Sequence, residues 1–157
     1  MKSFNYIFCF IVLFLFVTSC SDSLTEKDKI RITREITTIV DNFLTPEINY
    51  DSHTNLRANV EGYVMGSDGA IIAESYGEYA SSLKEAFKGI DRFLEMKPTK
   101  KYVYVLAKDA ASCTCEFEGK LLATTGDTII HNGCWTFVFK QINDQWKVVH
   151  ENGTHTH

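Results

Sequence analysis

The chain is short of grouped positive charge. Its 157 residues carry 16 Lys and Arg against 20 Asp and Glu, a net charge of −4, and the densest basic spot is the pair Lys100-Lys101. Nucleic-acid binding neutralises phosphates with clustered Lys and Arg. That partner class is therefore not expected, and Lys100-Lys101 reads as a solvated strand entry. Long apolar runs are also missing: the run from Tyr6 to Val17 falls short of the ~20 residues that span a bilayer. Metal-ligand spacing is missing too. Cys113 and Cys115 stand two apart, outside the usual zinc patterns, and on a strand they share a face and bridge each other poorly. Small buried cysteines suit a core. A metal reading with His131 or His150 as a fourth ligand is the alternative to that core reading, and the expectation is no metal and no cofactor. No internal repeat, low-complexity tract or second domain interrupts the rest.

The start of the chain is informative. Met1-Lys2-Ser3 is basic, the apolar run follows, and Val17-Thr18-Ser19-Cys20 closes it with small residues and a cysteine. The order is that of a secretory leader. Its end resembles the lipobox of bacterial lipoproteins, the alternative being an ordinary leader with an incidental cysteine. The resemblance implies a leader over residues 1–19, lipidation of Cys20 as the first mature residue, a polar tether over 20–24 and one domain over 25–157. It also implies an envelope location with anchoring to a membrane. Ser21-Asp22-Ser23 resembles the acidic tether of outer-membrane lipoproteins, and the face of the membrane stays open. Loss of residues 1–19 removes Lys2 and Cys9, and lipid takes Cys20. Cys113, Cys115 and Cys134 remain, an odd number that cannot all pair.

Thr25-Glu26-Lys27-Asp28 has the form of a capping box. Ile32, Ile36, Ile39 and Phe43 recur at helical spacing behind it, and Thr45-Pro46 ends the helix. Residues 47–60 fit either a short helix capped by Asp51 or Ser52, or a loop. Gly66-Ser67-Asp68-Gly69 between apolar runs is a hairpin signal, with Asp68 a turn residue. Ser75 to Glu78 caps a second long helix, expected to carry Leu83, Phe87, Ile90 and Leu94 on one stripe and to stop at Lys97-Pro98. Tyr76 and Tyr79 stand at its entrance, able to pack on a sheet with the hydroxyl turned to a cavity. Long strands follow: Tyr102–Leu106, Ala111–Phe117, Thr128–Gln141 and Trp146–Thr154, an antiparallel meander.

The last hairpin sets a register. A two-residue turn at Asn143-Asp144 places Ile142 opposite Gln145, and regular counting sets Phe139 beside Val148, Phe137 beside His150 and Trp135 beside Asn152. The aromatics, His150 and Asn152 then share one face, and Glu151 falls on the other with Glu116 and Glu118. Cys113, Cys115 and Phe117 join the aromatic face, beside Phe139, Phe137 and Trp135 give or take two residues. Cys134 points away from them.

Two N-terminal helices, Asp109-Ala110-Ala111 entering a strand, Trp135-Thr136-Phe137-Val138-Phe139-Lys140 and Asn143-Asp144-Gln145-Trp146-Lys147-Val148-Val149-His150 together resemble the nuclear transport factor 2-like superfamily, in particular its SnoaL-like domains. The resemblance covers Thr25 to Thr154. It implies an α+β cone in which a strongly bent antiparallel sheet packs against N-terminal helices around a pocket, and it implies a homodimer through the outer sheet face. Members often end in a Trp-x-Ile-x-His-x-His-x-Ser pattern facing the pocket. Trp146, Val148, His150 and Thr154 match it, and Asn152 replaces the second histidine. Asn152 forms hydrogen bonds but carries no proton near neutrality. Enzymes of the superfamily place a carboxylate in an apolar pocket, where desolvation raises its pKa. Here Asp91 and Glu95 fall off the helical stripe, and Asp51 or Glu61 remains open.

Three functions follow from this reading. One is a lipid-anchored binding domain whose pocket, lined by Trp135, Phe137, His150, Asn152, Tyr76 and Cys115, holds a small partly apolar molecule. Another is an isomerase- or cyclase-type enzyme with His150 as proton carrier. The third is a non-catalytic interaction module using the outer sheet face.

Overall fold

A computed structural model describes residues 23–156. Residues 1–22 and 157, and with them the leader and the lipidation of Cys20, lie outside the described residues. Helix α1 (Glu26–Phe43) starts where the capping box places it. The Thr25 hydroxyl accepts from the Asp28 N–H at 3.1 Å while the Asp28 carboxylate accepts from the Thr25 N–H. Ile32, Ile36, Val40 and Phe43 form its buried stripe, with Ile39 at the edge. Helix α2 (Tyr50–Leu56) is capped by Asn49, ahead of the Asp51 or Ser52 expected; Ser52 is the third residue of the box and returns a hydrogen bond to Asn49. Strands β1 (Val64–Ser67) and β2 (Ala70–Ala73) form the expected hairpin. Asp68 and Gly69 turn it with φ of 52° and 85°, the positive values a tight hairpin requires.

Helix α3 (Tyr76–Lys88) begins on the Ser75 cap as expected but ends at Gly89, well before Pro98. Ile90–Ala107 is one long strand, β3. The register of β3 against its neighbour shifts between Ile90 and Arg92, between Phe93 and Glu95, between Pro98 and Lys100, and between Val105 and Ala107. Each bulge adds a residue and bends the strand. The first two stretch the inward spacing from two residues to three, so Ile90, Phe93 and Met96 recur like one face of a helix. The expected stripe runs from Ile90 to Leu94 instead, and Leu94 is exposed on β3 while Phe93 and Met96 are buried. Pro98 is tolerated because β3 lies at the end of the sheet, where a missing N–H costs no ladder bond.

Strands β4 (Ala110–Ala123), β5 (Thr128–Ile130), β6 (Asn132–Ile142) and β7 (Gln145–Thr156) complete a sheet of order β2-β1-β7-β6-β4-β3, with β5 on β4. The expected strand over 128–141 is divided at His131. All pairings are antiparallel except β1 with β7, so the bent sheet is mixed. Cys113, Cys115 and Phe117 lie on the concave face, opposite Phe137, Trp135 and Gly133, two residues from the expected pairing and within its allowance. Helix α1 covers this face with Ile32, Ile36, Val40 and Phe43, and the core lies between them. The fold class is α+β.

Candidate functional site: a cavity floored by a buried ion pair

The register of the last hairpin decides what reaches the interior. Asn143 and Asp144 form the turn, with φ of 50° and 60°, and Ile142 pairs with Gln145 and Phe139 with Val148, as counted from the sequence. Then the ladder slips. Val138 pairs with His150, Phe137 with Glu151 and Trp135 with Gly153, so Val149 is one extra residue in β7. The bulge reverses the expected faces beyond it. Glu151 is fully buried, while His150 and Asn152 are exposed on the convex face, beside Val64 and Gly66 of β1. The expected pocket positions of His150 and Asn152, and the expected outer position of Glu151, are thus corrected by a single bulge.

The concave face encloses a cavity of about 230 Å³, walled by Phe43, Phe87, Phe93, Phe117, Trp135 and Phe137. Glu151 and Arg57 stand at its floor. Arg57 follows α2, where one parallel bridge to Val148 and a 2.9 Å bond from the Ala58 N–H to the Val148 carbonyl pin the chain against β7. Its guanidinium donates to both oxygens of Glu151, Nε to Oε1 at 2.8 Å and Nη2 to Oε2 at 2.6 Å. Tyr63 donates its hydroxyl to Oε1 at 2.5 Å and Trp135 its indole N–H to Oε2 at 2.8 Å. Each carboxylate oxygen therefore accepts two hydrogen bonds. Phe43 lies against the guanidinium, its centroid 4.7 Å from Cζ, with Tyr79 and Phe137 beyond, an arrangement favourable to a cation.

These contacts fix the charges. Burial opposes ionisation of Glu151, but the charge of Arg57 and the hydrogen bonds from Arg57, Tyr63 and Trp135 outweigh it and hold the carboxyl below its usual range. Burial also opposes the charge on Arg57, and Glu151 more than restores it. The same burial, with Glu151 next to its hydroxyl, pushes Tyr63 upward. A carboxylate locked in this way is a poor proton carrier, since catalysis in such pockets needs a raised value. Arg57, Tyr63 and Glu151 escaped sequence reading because Arg57 and Tyr63 sit in a stretch without clear period and Glu151 has the wrong parity for a regular strand.

Among the described residues His53, His131 and His155 also line the cavity. His53, on α2, packs edge-on against Phe43 and Phe87, and its Nδ1 lies 3.2 Å from the Tyr79 hydroxyl. Burial, and then the nearby charge of Arg57, lower its pKa well below that of free imidazole. His131, at the break between β5 and β6, lies with its ring centroid 4.8 Å from that of His155. Burial and then His155 lower it to about 4. His155 is held by the β1–β2 turn: its backbone N–H donates to Asp68 Oδ1 at 2.7 Å, and its Nδ1 lies 2.9 Å from Asp68 Oδ2. Those two bonds and the Ser67 hydroxyl hold Asp68 well below the ordinary carboxylate range.

Of the residues expected to bind a ligand, Trp135 and Phe137 line the cavity. Tyr76 stands behind the wall, packed on Tyr63 and Tyr79, with its hydroxyl donating to the Thr54 carbonyl at 3.3 Å. Cys115 is buried beside Trp135 without reaching the cavity. Burial raises the thiols of Cys113 to about 11 and Cys115 to about 12, the state of inert core cysteines. Cys134 is on the other face, and all three are free thiols. Asp51 and Glu61 are exposed and off the cavity wall, and Asp91 and Glu95 lie on β3, not on a helix. Among the described residues no group of three or more His, Cys, Asp or Glu could hold a metal ion.

No family model matches the sequence, and no curated protein matches it. Solved structures do share the fold. A candidate scytalone dehydratase from Novosphingobium aromaticivorans superposes with a TM-score of 0.72 at 12% identity, over 85% of this chain and 89% of that one. A nuclear transport factor 2-like superfamily protein from Salmonella enterica gives 0.63 at 15% identity, over 85% and 94%. The association domain of C. elegans CaMKII gives 0.52 at 14% identity, over 82% and 95%. The architecture is the nuclear transport factor 2-like cone. Its appearance in both a dehydratase-type protein and an association domain means that function must be argued from the site.

Proposed function

We propose that this chain is a lipid-anchored protein of the bacterial envelope whose cavity holds a small, largely apolar molecule. The observation that carries the reading is the cavity itself, an aromatic-walled space of about 230 Å³ over a floor whose charges are already neutralised by each other. Its volume is below the ~300–1,000 Å³ of pockets for drug-sized ligands, which favours a molecule of one or two rings. Trp135 and Phe137 supply wall area, and nothing in the reading runs through the outward-facing His150. Cys20 supplies the anchor by its resemblance to lipobox cysteines. The test is native mass spectrometry of the protein extracted from membranes of its own host. A small ligand leaving the complex on activation supports the reading, and a Cys20→Ser form should move to the soluble fraction.

A second reading, self-association through the outer sheet face, has one observation in its favour. Tyr102, Tyr104 and Leu106 of β3 are 69%, 70% and 53% exposed on the convex side. Sedimentation of the wild type against Tyr104→Asp decides it: a dimer that the variant dissociates supports it, and a wild-type monomer at high concentration removes it.

A further inference from the structure

The cavity wall carries one group whose geometry selects a ligand. His155 lines the cavity, and the Asp68 carboxylate, an acceptor only, faces its Nδ1 at 2.9 Å. In a neutral imidazole, Nδ1 must then carry the hydrogen, and Nε2 is left as an acceptor. Among the described residues no hydrogen bond occupies Nε2 of His155 or either ring nitrogen of His131, and no buried side-chain nitrogen or oxygen lacks a partner. Those nitrogens are therefore open to the cavity or to solvent. Around them stand Phe93, Phe117 and Trp135, so the imidazoles form a small polar corner in an aromatic wall.

We infer that this corner is the specificity site of the cavity, and that the ligand presents to it a neutral hydroxyl of phenol or enol type, which donates to His155 Nε2 with His131 beside it. The inference rests on the cavity being a ligand site. Charge decides against an anion. Asp68 supplies a negative charge behind His155, Arg57 is committed to Glu151, and His53 and His131 are held neutral at ordinary pH. Among the described cavity residues, a carboxylate or phosphate entering here meets no cation that lacks a carboxylate partner. A ring bearing a hydroxyl satisfies both the wall and the corner, and an ether of the same shape satisfies the wall alone, leaving an acceptor facing an acceptor. Sites built to bond a hydroxyl discriminate strongly against analogues that lack it.

The test is calorimetric titration of the full chain in detergent at about pH 8, with β-naphthol and its methyl ether as probes. The wild type should bind the naphthol at least about tenfold more tightly than the ether. His155→Phe should keep the ether affinity and lose that preference. Asp68→Ala, at an exposed turn, should reduce the preference while leaving the fold intact by circular dichroism. Equal affinities for the two probes in the wild type, or a preference that survives both substitutions, would overturn the assignment while leaving the cavity a ligand site. Binding of neither probe would remove the assignment and count against the cavity reading as well.

Discussion

At the scale of single residues, the buried pair Arg57–Glu151 dominates. Desolvating two charges is costly, and such a pair is tolerated because every hydrogen-bonding position on Glu151 is filled. Removing one partner should be far worse than removing both. Glu151→Gln leaves a guanidinium in an aromatic box without its counter-charge, and chemical denaturation should show a loss of about 3–5 kcal/mol. The double variant Arg57→Met/Glu151→Leu should recover most of it. If the single substitution costs under about 1 kcal/mol, the pair is hydrated in solution and does not floor the cavity. None of this was legible by residue type, since Arg57 lacks a motif and Glu151 sits between residues that look equally polar. Trp135 and Phe137 were legible because aromatic alternation survives any two-residue slip.

At the scale of elements, bulges separate what the sequence shows from what it hides. The capping box of α1, the Ser75 cap of α3, the Asp68-Gly69 and Asn143-Asp144 turns and the alternation along β4 are local signals, and each appears where read, although Glu78 accepts from the Glu74 N–H and does not close a box on Ser75. The bulges of β3 and β7 are set by tertiary bending of the sheet. The first two in β3 turn Phe93 and Met96 inward where the expected helical stripe has Leu94, and the one in β7 exchanges His150 for Glu151 at the interior. Close approach of strands leaves another mark at Gly153. A Cβ there would lie 2.1 Å from the Trp135 ring, the same ring whose N–H holds Glu151. Gly153→Ala should therefore push the indole off the carboxylate and cost about 1–3 kcal/mol, in the range for overpacking. A shift in tryptophan emission together with a lower melting temperature checks this. An unchanged spectrum would place the Trp135 ring elsewhere.

At the scale of the whole molecule, the buried groups set the pH response. His53 and His131 have folded pKa values below that of free imidazole, so below about pH 6.5 the unfolded chain takes up protons that the fold refuses. Their contribution to stability is full above that value and falls as the pH drops toward about 4, the folded value of His131. Glu151, also lowered, adds a loss that begins below the ordinary carboxylate value and continues as pH falls through its folded one. The melting temperature should be flat from neutrality to about pH 8, decline through the mildly acidic range, and decline again above about pH 8.5, where the unfolded chain gives up the protons that buried Cys113 and Cys115 keep. His131→Gln should flatten the upper part of the acidic decline. The central claim, that the cavity holds a small apolar molecule, is tested most directly by blocking it. Ala86 lies on the cavity wall at an exposed point of α3, where a larger side chain fills the space without disturbing the core. Thermal-shift screening of one- and two-ring compounds should yield ligands that stabilise the wild type and lose at least about tenfold in affinity to Ala86→Trp. Ligands that stabilise both proteins equally, or none that stabilise the wild type, would contradict it.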